Sequence, residues 1–194
     1  MKHISQLSSL LILSFFLMLP SAASAQQNKV RLSLKASVTQ RLGVDTDITI
    51  VYSRPGVKGR KIWGGLVPYG MAPGNEESKG NPFPWRAGAN ENTTIEFNKD
   101  VLIDGNRLPA GKYAIFMIPS EKDWIIIFSK NSTAWGSFSY NQAEDALRIT
   151  VTPVEAPHME WLMYGFDDLA GTSATVYLWW DNLKVPFKIA LPKE

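Results

Sequence analysis

Residues 112–129 read KYAIFMIPSEKDWIIIFS, and this stretch decides the fold. Tyr113 to Ile118 and Trp124 to Phe128 carry apolar side chains at odd and even positions alike, so an extended chain here has two dry faces. Between them, Pro119-Ser120-Glu121-Lys122-Asp123 has the composition and length of a hairpin turn. The stretch reads as two central strands of a sheet covered from both sides. Outward from it the pattern changes to simple alternation with one wet face: Ile48 and Ile50 against Asp47 and Thr49; Leu147, Ile149 and Val151 against Arg148, Thr150 and Thr152; Val185, Phe187, Ile189 and Leu191 against Lys184, Pro186 and Lys188. Val30, Leu32 and Leu34 alternate in the same way with Arg31, Ser33 and Lys35.

No apolar stripe of period 3.6 is long enough to predict a helix. Asp104-Gly105-Asn106 supplies the positive φ that a tight hairpin needs and should join the run from Thr93 to Ile103 with the run that opens at Lys112. Pro186 cannot donate to a ladder, which predicts that the last strand is an edge. About ten strands at the 8–12-residue spacing of sandwiches give an all-β reading: a single antiparallel β-sandwich, jelly-roll-like, with one long ordered loop.

Composition narrows the function classes. The chain has 194 residues, 45% of them hydrophobic and 20% charged, with no Cys. Neither a disulfide framework nor a thiolate metal site nor a Cys nucleophile is available. Lys2 and His3, an apolar run from Leu10 to Leu19 of about ten residues and the small-x-small triplet Ala23-Ser24-Ala25 read as a secretory signal peptide over 1–25, too short in its apolar part for a membrane span. The expected mature domain is 26–194, periplasmic or secreted; the alternative, an N-terminal anchor over 4–23, is interrupted by Ser14 and Pro20. Loss of Lys2 takes the net charge from +2 to +1. Charges of both signs interspersed near neutrality give no basic stripe for a phosphate backbone, which excludes a nucleic-acid partner.

One segment breaks the rhythm. Arg54 to Asn92, about 39 residues, contains eight of the 14 Gly and five of the 12 Pro and has no alternating run. Structureless loops of this length are commonly functional. Met71 to Pro84 (MAPGNEESKGNPFP) is polar and turn-rich and reads as a mobile insert; its flanks carry the large anchors Trp63, Tyr69 and Trp85 and the cations Arg54, Lys58, Arg60 and Arg86.

Those flanks, Tyr52-Ser53-Arg54-Pro55, Val57-Lys58-Gly59-Arg60, Gly64-Gly65-Leu66-Val67-Pro68-Tyr69-Gly70, Trp85-Arg86 and Gly88-Ala89-Asn90-Glu91, are followed by Leu108-Pro109-Ala110-Gly111, Ile118-Pro119, Trp135-Gly136, Glu160-Trp161-Leu162 and Val185-Pro186-Phe187. Together they resemble the exported bacterial proteins known as domain of unknown function 2911, over roughly Ser37 to Ile189. The resemblance implies an exported all-β domain and brings no activity or catalytic residues. Met71 to Pro84 departs from the family pattern, in which Pro-Tyr-Gly runs almost directly into Trp-Arg.

Three functional readings stand side by side. In the first, the loop folds back as an ordered lid whose guanidiniums converge, and Arg54, Lys58, Arg60, Tyr69, Trp85, Arg86, Asn90 and Glu91 meet Glu160 and Trp161 in a non-catalytic site for a small anionic or carbohydrate-like ligand. The architectural counterpart has the same arginines clamping the loop against Glu91, Asp100 or Glu160, or stacking on Trp63, Tyr69 and Trp85. In the second, the last strand or the outward Tyr177 and Trp179 contact an envelope protein. In the third, Glu91 and Glu160 form the carboxylate pair of a glycosidase-like hydrolase. The one His of the expected mature domain, His158, beside Glu160 falls short of a zinc or iron set, so neither a metal nor another cofactor is read.

Overall fold

The computed structural model describes residues 30–193; the expected signal peptide lies outside the described residues. Ten strands, β1 (Leu34–Leu42), β2 (Thr46–Arg54), β3 (Thr94–Phe97), β4 (Val101–Ile103), β5 (Asn106–Leu108), β6 (Gly111–Ile118), β7 (Trp124–Ser129), β8 (Asp145–Val151), β9 (Val154–Asp167) and β10 (Ser173–Ala190), are joined by loops and one 3₁₀ turn at Gln142–Glu144. They form two antiparallel sheets, β1-β2-β3-β6-β7-β8 and β5-β4-β10-β9, and the fold is an all-β sandwich. No helix among the described residues is long and apolar enough to cross a membrane.

The opening hairpin supplies two interior strands of the larger sheet. β6 and β7 pair with Phe116 opposite Ile127. Their inner face sends Ile115, Met117, Ile126 and Phe128 into the main core, while Ala114, Phe116 and Ile127 form a separate buried cluster on the outer face, covered by Tyr140 from the following loop. The two dry faces of the sequence thus correspond to two cores. From the smaller sheet Leu162, Tyr164, Val176, Leu178, Trp180 and Phe187 meet the inner face, and the Phe128 and Phe187 rings sit 5.6 Å apart.

Three local expectations are corrected. The Asp104-Gly105 turn has both residues at positive φ, but it closes the short β4–β5 hairpin, which crosses to the other sheet before the chain returns as β6 beside β3. Strand pairing in β1 starts only at Leu34, opposite Arg54, because β2 ends there and Pro55 follows; Leu32 and Leu34 have the inward parity of Ala36 and Val38 yet overhang the core and are exposed. β10 is no edge strand but lies between β4 and β9. Pro186 is accommodated because it falls between the β9 ladder, which ends at Lys184, and the β4 ladder, which begins at Ile189.

The segment between β2 and β3 is built into the body. Val57, Ile62, Trp63, Val67 and Ala87 are all core residues. Its first bridge joins Gly56 to Trp161 of β9, and its last pairs Trp85 with Met117 of β6 through reciprocal hydrogen bonds of 2.9 and 2.8 Å. Met71 to Pro84, expected to be a mobile insert, is closed at its neck by a reciprocal Ala72–Phe83 pair at 2.8 and 3.1 Å. Beyond the neck, Asn75 and Ser78 cap one another, each side chain accepting from the other's main-chain N–H at 2.9 Å.

Candidate functional site

Trp63 carries the long segment between β2 and β3 into the core. Its ring meets Trp124 at 4.8 Å and Trp85 and Trp180 at 5.7 Å each, all edge to face, while Trp85 and Trp180 stack at 6.0 Å with their planes 19° apart. Such contacts add to the area that these rings remove from water. The indole N–H groups of Trp63 and Trp180 are buried with no hydrogen-bond partner. Gly64 permits this arrangement: its φ is +69°, and a β-carbon there would lie 2.8 Å from the Tyr69 ring.

Above the indoles lies a concave cavity of about 620 Å3, floored by Trp85 and Trp180. Lys58, Arg60 and Arg86 contribute its charge, and Leu66, Val67, Pro68, Ala72, Phe83 and Pro84 most of its apolar wall. Leu32 and Ser33, just before β1, complete the rim. The lining contains no carboxylate, carboxamide, imidazole or phenol. Of its two hydroxyls, that of Ser137 is buried and donates to the Pro84 carbonyl at 2.5 Å.

The three guanidiniums do not share one focus. Arg54 leaves the cavity and donates to the carbonyls of Leu162 at 2.9 Å and Trp161 at 3.4 Å, tying the end of β2 to β9. Arg60 closes its own turn by donating to Val57 and Gly56. Arg86 donates to the Asn90 carbonyl at 2.7 Å, and its Cζ sits 4.6 Å from the centroid of Phe138. Burial lowers the Arg86 pKa from the usual arginine value, although a guanidinium stays charged at neutral pH. The clamps therefore use main-chain carbonyls, where the sequence suggested carboxylates.

The remaining expected site residues are spread around this centre. Asn90, at φ +61°, anchors the rim through Nδ2 to the Ser33 carbonyl. Glu91 faces away, paired with Arg31 at 2.6 Å beside a smaller cavity of about 190 Å3 that also holds Lys35 and Lys112. Burial works against the Glu91 charge, but main-chain hydrogen bonding and Arg31 override it and hold the carboxyl below its ordinary range. Glu160 accepts from the Lys58 main-chain N–H at 2.9 Å and faces His158 at 3.4 Å; Trp161 is exposed, with the Lys58 ammonium 5.5 Å above its ring. Tyr69 is exposed beside Gly64. Lys58, Arg60, Trp85 and Arg86 are thus brought together on the cavity, while Arg54, Tyr69, Asn90, Glu91, Glu160 and Trp161 form its supports and surroundings. The two glutamates proposed as a catalytic pair occupy separate polar networks. On the opposite sheet face, Lys184 lies 4.1 and 4.7 Å from the rings of Tyr177 and Trp179 and covers both.

The family model for a protein of unknown function, DUF2911, matches residues 33–189. The chain belongs to the DUF2911 family. The matched span begins at the cavity rim and includes every lining residue except Leu32. No curated protein and no solved structure matches the chain.

Sequence reasoning missed the apolar wall. Leu66, Val67 and Pro68 stand out in the sequence only as part of a family motif, and Phe83 and Pro84 fall inside the stretch that reads as a mobile insert. The available signal was Pro82-Phe83-Pro84-Trp85, a rigid apolar quartet ending an otherwise polar stretch.

Proposed function

We propose that this DUF2911 protein is an exported, non-catalytic binding protein for a small anionic ligand. The observation that carries the reading is a concave cavity presenting Lys58, Arg60 and Arg86 with no carboxylate among its lining residues. Three cations without a lining counter-charge favour an anion, and about 620 Å3 is within the ordinary range for small-molecule sites. The binding role is favoured over a hydrolytic one because the lining offers no carboxylate or imidazole as general acid or base. Export is supported by the basic start, apolar run and Ala23-Ser24-Ala25 triplet.

The test is a thermal-shift panel of small carboxylates, phosphate esters and sulfates, each beside its neutral amide, ester or alcohol. An anion is expected to raise the melting temperature saturably where its neutral partner does not. Lys58→Gln should weaken that anion at least tenfold without altering the melting temperature of the free protein, since the Lys58 ammonium makes no hydrogen bond that holds the fold. A panel in which neutral partners bind as well as the anions overturns the reading. Export is checked separately by mass spectrometry of the periplasmic fraction, where a chain beginning at Gln26 is expected.

A further inference from the structure

We infer that the ligand is an amphipathic monoanion, an apolar body carrying one acidic head, and not a sugar acid or other polyol anion. The inference rests on the anion-binding reading above and adds the chemistry of the rest of the molecule. A polyol presents hydroxyls that donate as well as accept, and a site that recognises them supplies acceptors, usually carboxylates and carboxamides, around a stacking ring. This cavity has the ring, Trp85, but no Asp, Glu, Asn or Gln among its lining residues. The main-chain carbonyls of Gly56 and Pro84 are already taken, by Arg60 and by Ser137. A sugar hydroxyl buried here can accept from a lining cation, but for its own proton the lining offers no side-chain acceptor beyond the Ser33 hydroxyl, a cost that selects against it.

The apolar side of the lining is equally specific. Leu66, Phe83 and Trp85 offer hydrocarbon and ring surface on the same lining as the cations. At the rim, Leu32 and Leu66 are 81% and 48% exposed, apolar side chains left in water at the mouth of the cavity. An aliphatic or aromatic body entering between them removes both from solvent while its acid group meets Lys58, Arg60 or Arg86. Charge and hydrocarbon therefore share one concave surface, the combination that a carboxylate with an apolar tail requires.

The experiment is isothermal titration of the mature protein with three probes: decanoate, which has both features; 1-decanol, which has the body without the charge; and glucuronate, which has the charge on a polyol. Decanoate is expected to bind at least tenfold more tightly than either of the others. Leu32→Ser combined with Leu66→Ser should weaken decanoate and decanol alike, and because both side chains are exposed the variant should melt as the unaltered protein does. Lys58→Gln should weaken decanoate and leave decanol unchanged. Glucuronate binding at least as tightly as decanoate overturns the amphipathic inference and leaves the anion-binding reading standing. Decanol binding as tightly as decanoate overturns the anion-binding reading, and the inference with it. If none of the three binds at millimolar concentration, both fall.

Discussion

The guanidinium of Arg86 lies so close to Gly136 that a β-carbon at 136 would overlap it. Phe138 covers the same cation from the same loop, with the Asn90 carbonyl completing the enclosure. Gly136 also has φ +70°, a conformation that disfavours a side chain on its own account.

Gly136→Ala should therefore act at a distance, displacing Arg86 from its seat and loosening the wall of the cavity. A loss of about 1–3 kcal/mol is expected, combining backbone strain with the displaced contact, read as a lower urea midpoint at unchanged slope. Arg86→Ala should cost a similar amount by leaving the Asn90 carbonyl without its donor. A variant with wild-type midpoint would show that the enclosure contributes nothing to the fold.

Tyr164 reaches across the core from β9 to hold the loop. Its hydroxyl donates to the carbonyl of Ala87 at 2.9 Å, and both residues are buried. Burial pushes the Tyr164 pKa well above the usual tyrosine value, so the hydroxyl remains a donor at all working pH values. Tyr164→Phe should cost about 1–3 kcal/mol because the acceptor stays behind without a partner. Hydrogen exchange should quicken at Trp85 to Asn90 before it quickens in β6 or β7. Uniform quickening throughout the sheet would argue that Tyr164 supports only the core.

Stability should decline at both ends of the pH scale, for separate reasons. Glu91 has a folded pKa below the unfolded reference of 4.5, so its contribution is complete above that value and is lost as pH falls through the folded value. Tyr140 behaves oppositely: burial, and then the Asp145 carboxylate that its hydroxyl touches, push it from 10.0 to about 12. Its contribution is present below pH 10 and is lost as pH rises towards 12. Chemical denaturation from pH 3 to 11 should show both slopes, the acid one flattened by Glu91→Gln and the alkaline one by Tyr140→Phe. An acid slope unchanged in Glu91→Gln would place the sensitive carboxylate elsewhere.

Trp63 should be the least replaceable residue of the long segment. It contacts the three other indoles of the cluster at once, and Trp63→Ala is expected to cost about 3–5 kcal/mol as a large core truncation. Near-ultraviolet circular dichroism should lose the signal of the coupled indoles in parallel with the drop in midpoint; an unchanged spectrum would mean that the cluster is not coupled.

Much of the sandwich was legible because burial writes period two into a chain. The two-faced runs at Tyr113–Ile118 and Trp124–Phe128 identified the sheet centre, and the alternation at Ile48–Ile50 and Leu147–Val151 has its buried side where the sequence places it. What alternation lacks is any record of partners. It could not show that β10 lies between two neighbours, since Pro186 needs only a local gap in the ladder and not a free edge. Nor could it show that Leu32 outruns its partner strand.

The site was half legible for a related reason. Cations and indoles announce themselves by type, and four of the residues so marked, Lys58, Arg60, Trp85 and Arg86, line one cavity. The arginines' acceptors do not announce themselves, because main-chain carbonyls exist at every residue and leave no mark in composition. The apolar wall was hidden by its neighbours: Ala72 and Phe83 face one another across a polar excursion, and only their hydrogen-bonded pairing reveals them as a neck.

That neck divides the segment into parts with different fates. Inward of Ala72 and Phe83 the chain is keel, and excising it would remove Val67 and Trp63 from the interior. Outward, Pro73 to Pro82 hangs from two residues already fastened to each other, like a pendant on a closed clasp. A fluorophore or foreign epitope grafted there is expected to ride beside the cavity without disturbing the sheets, a handle on the loop that leaves its buried half in place.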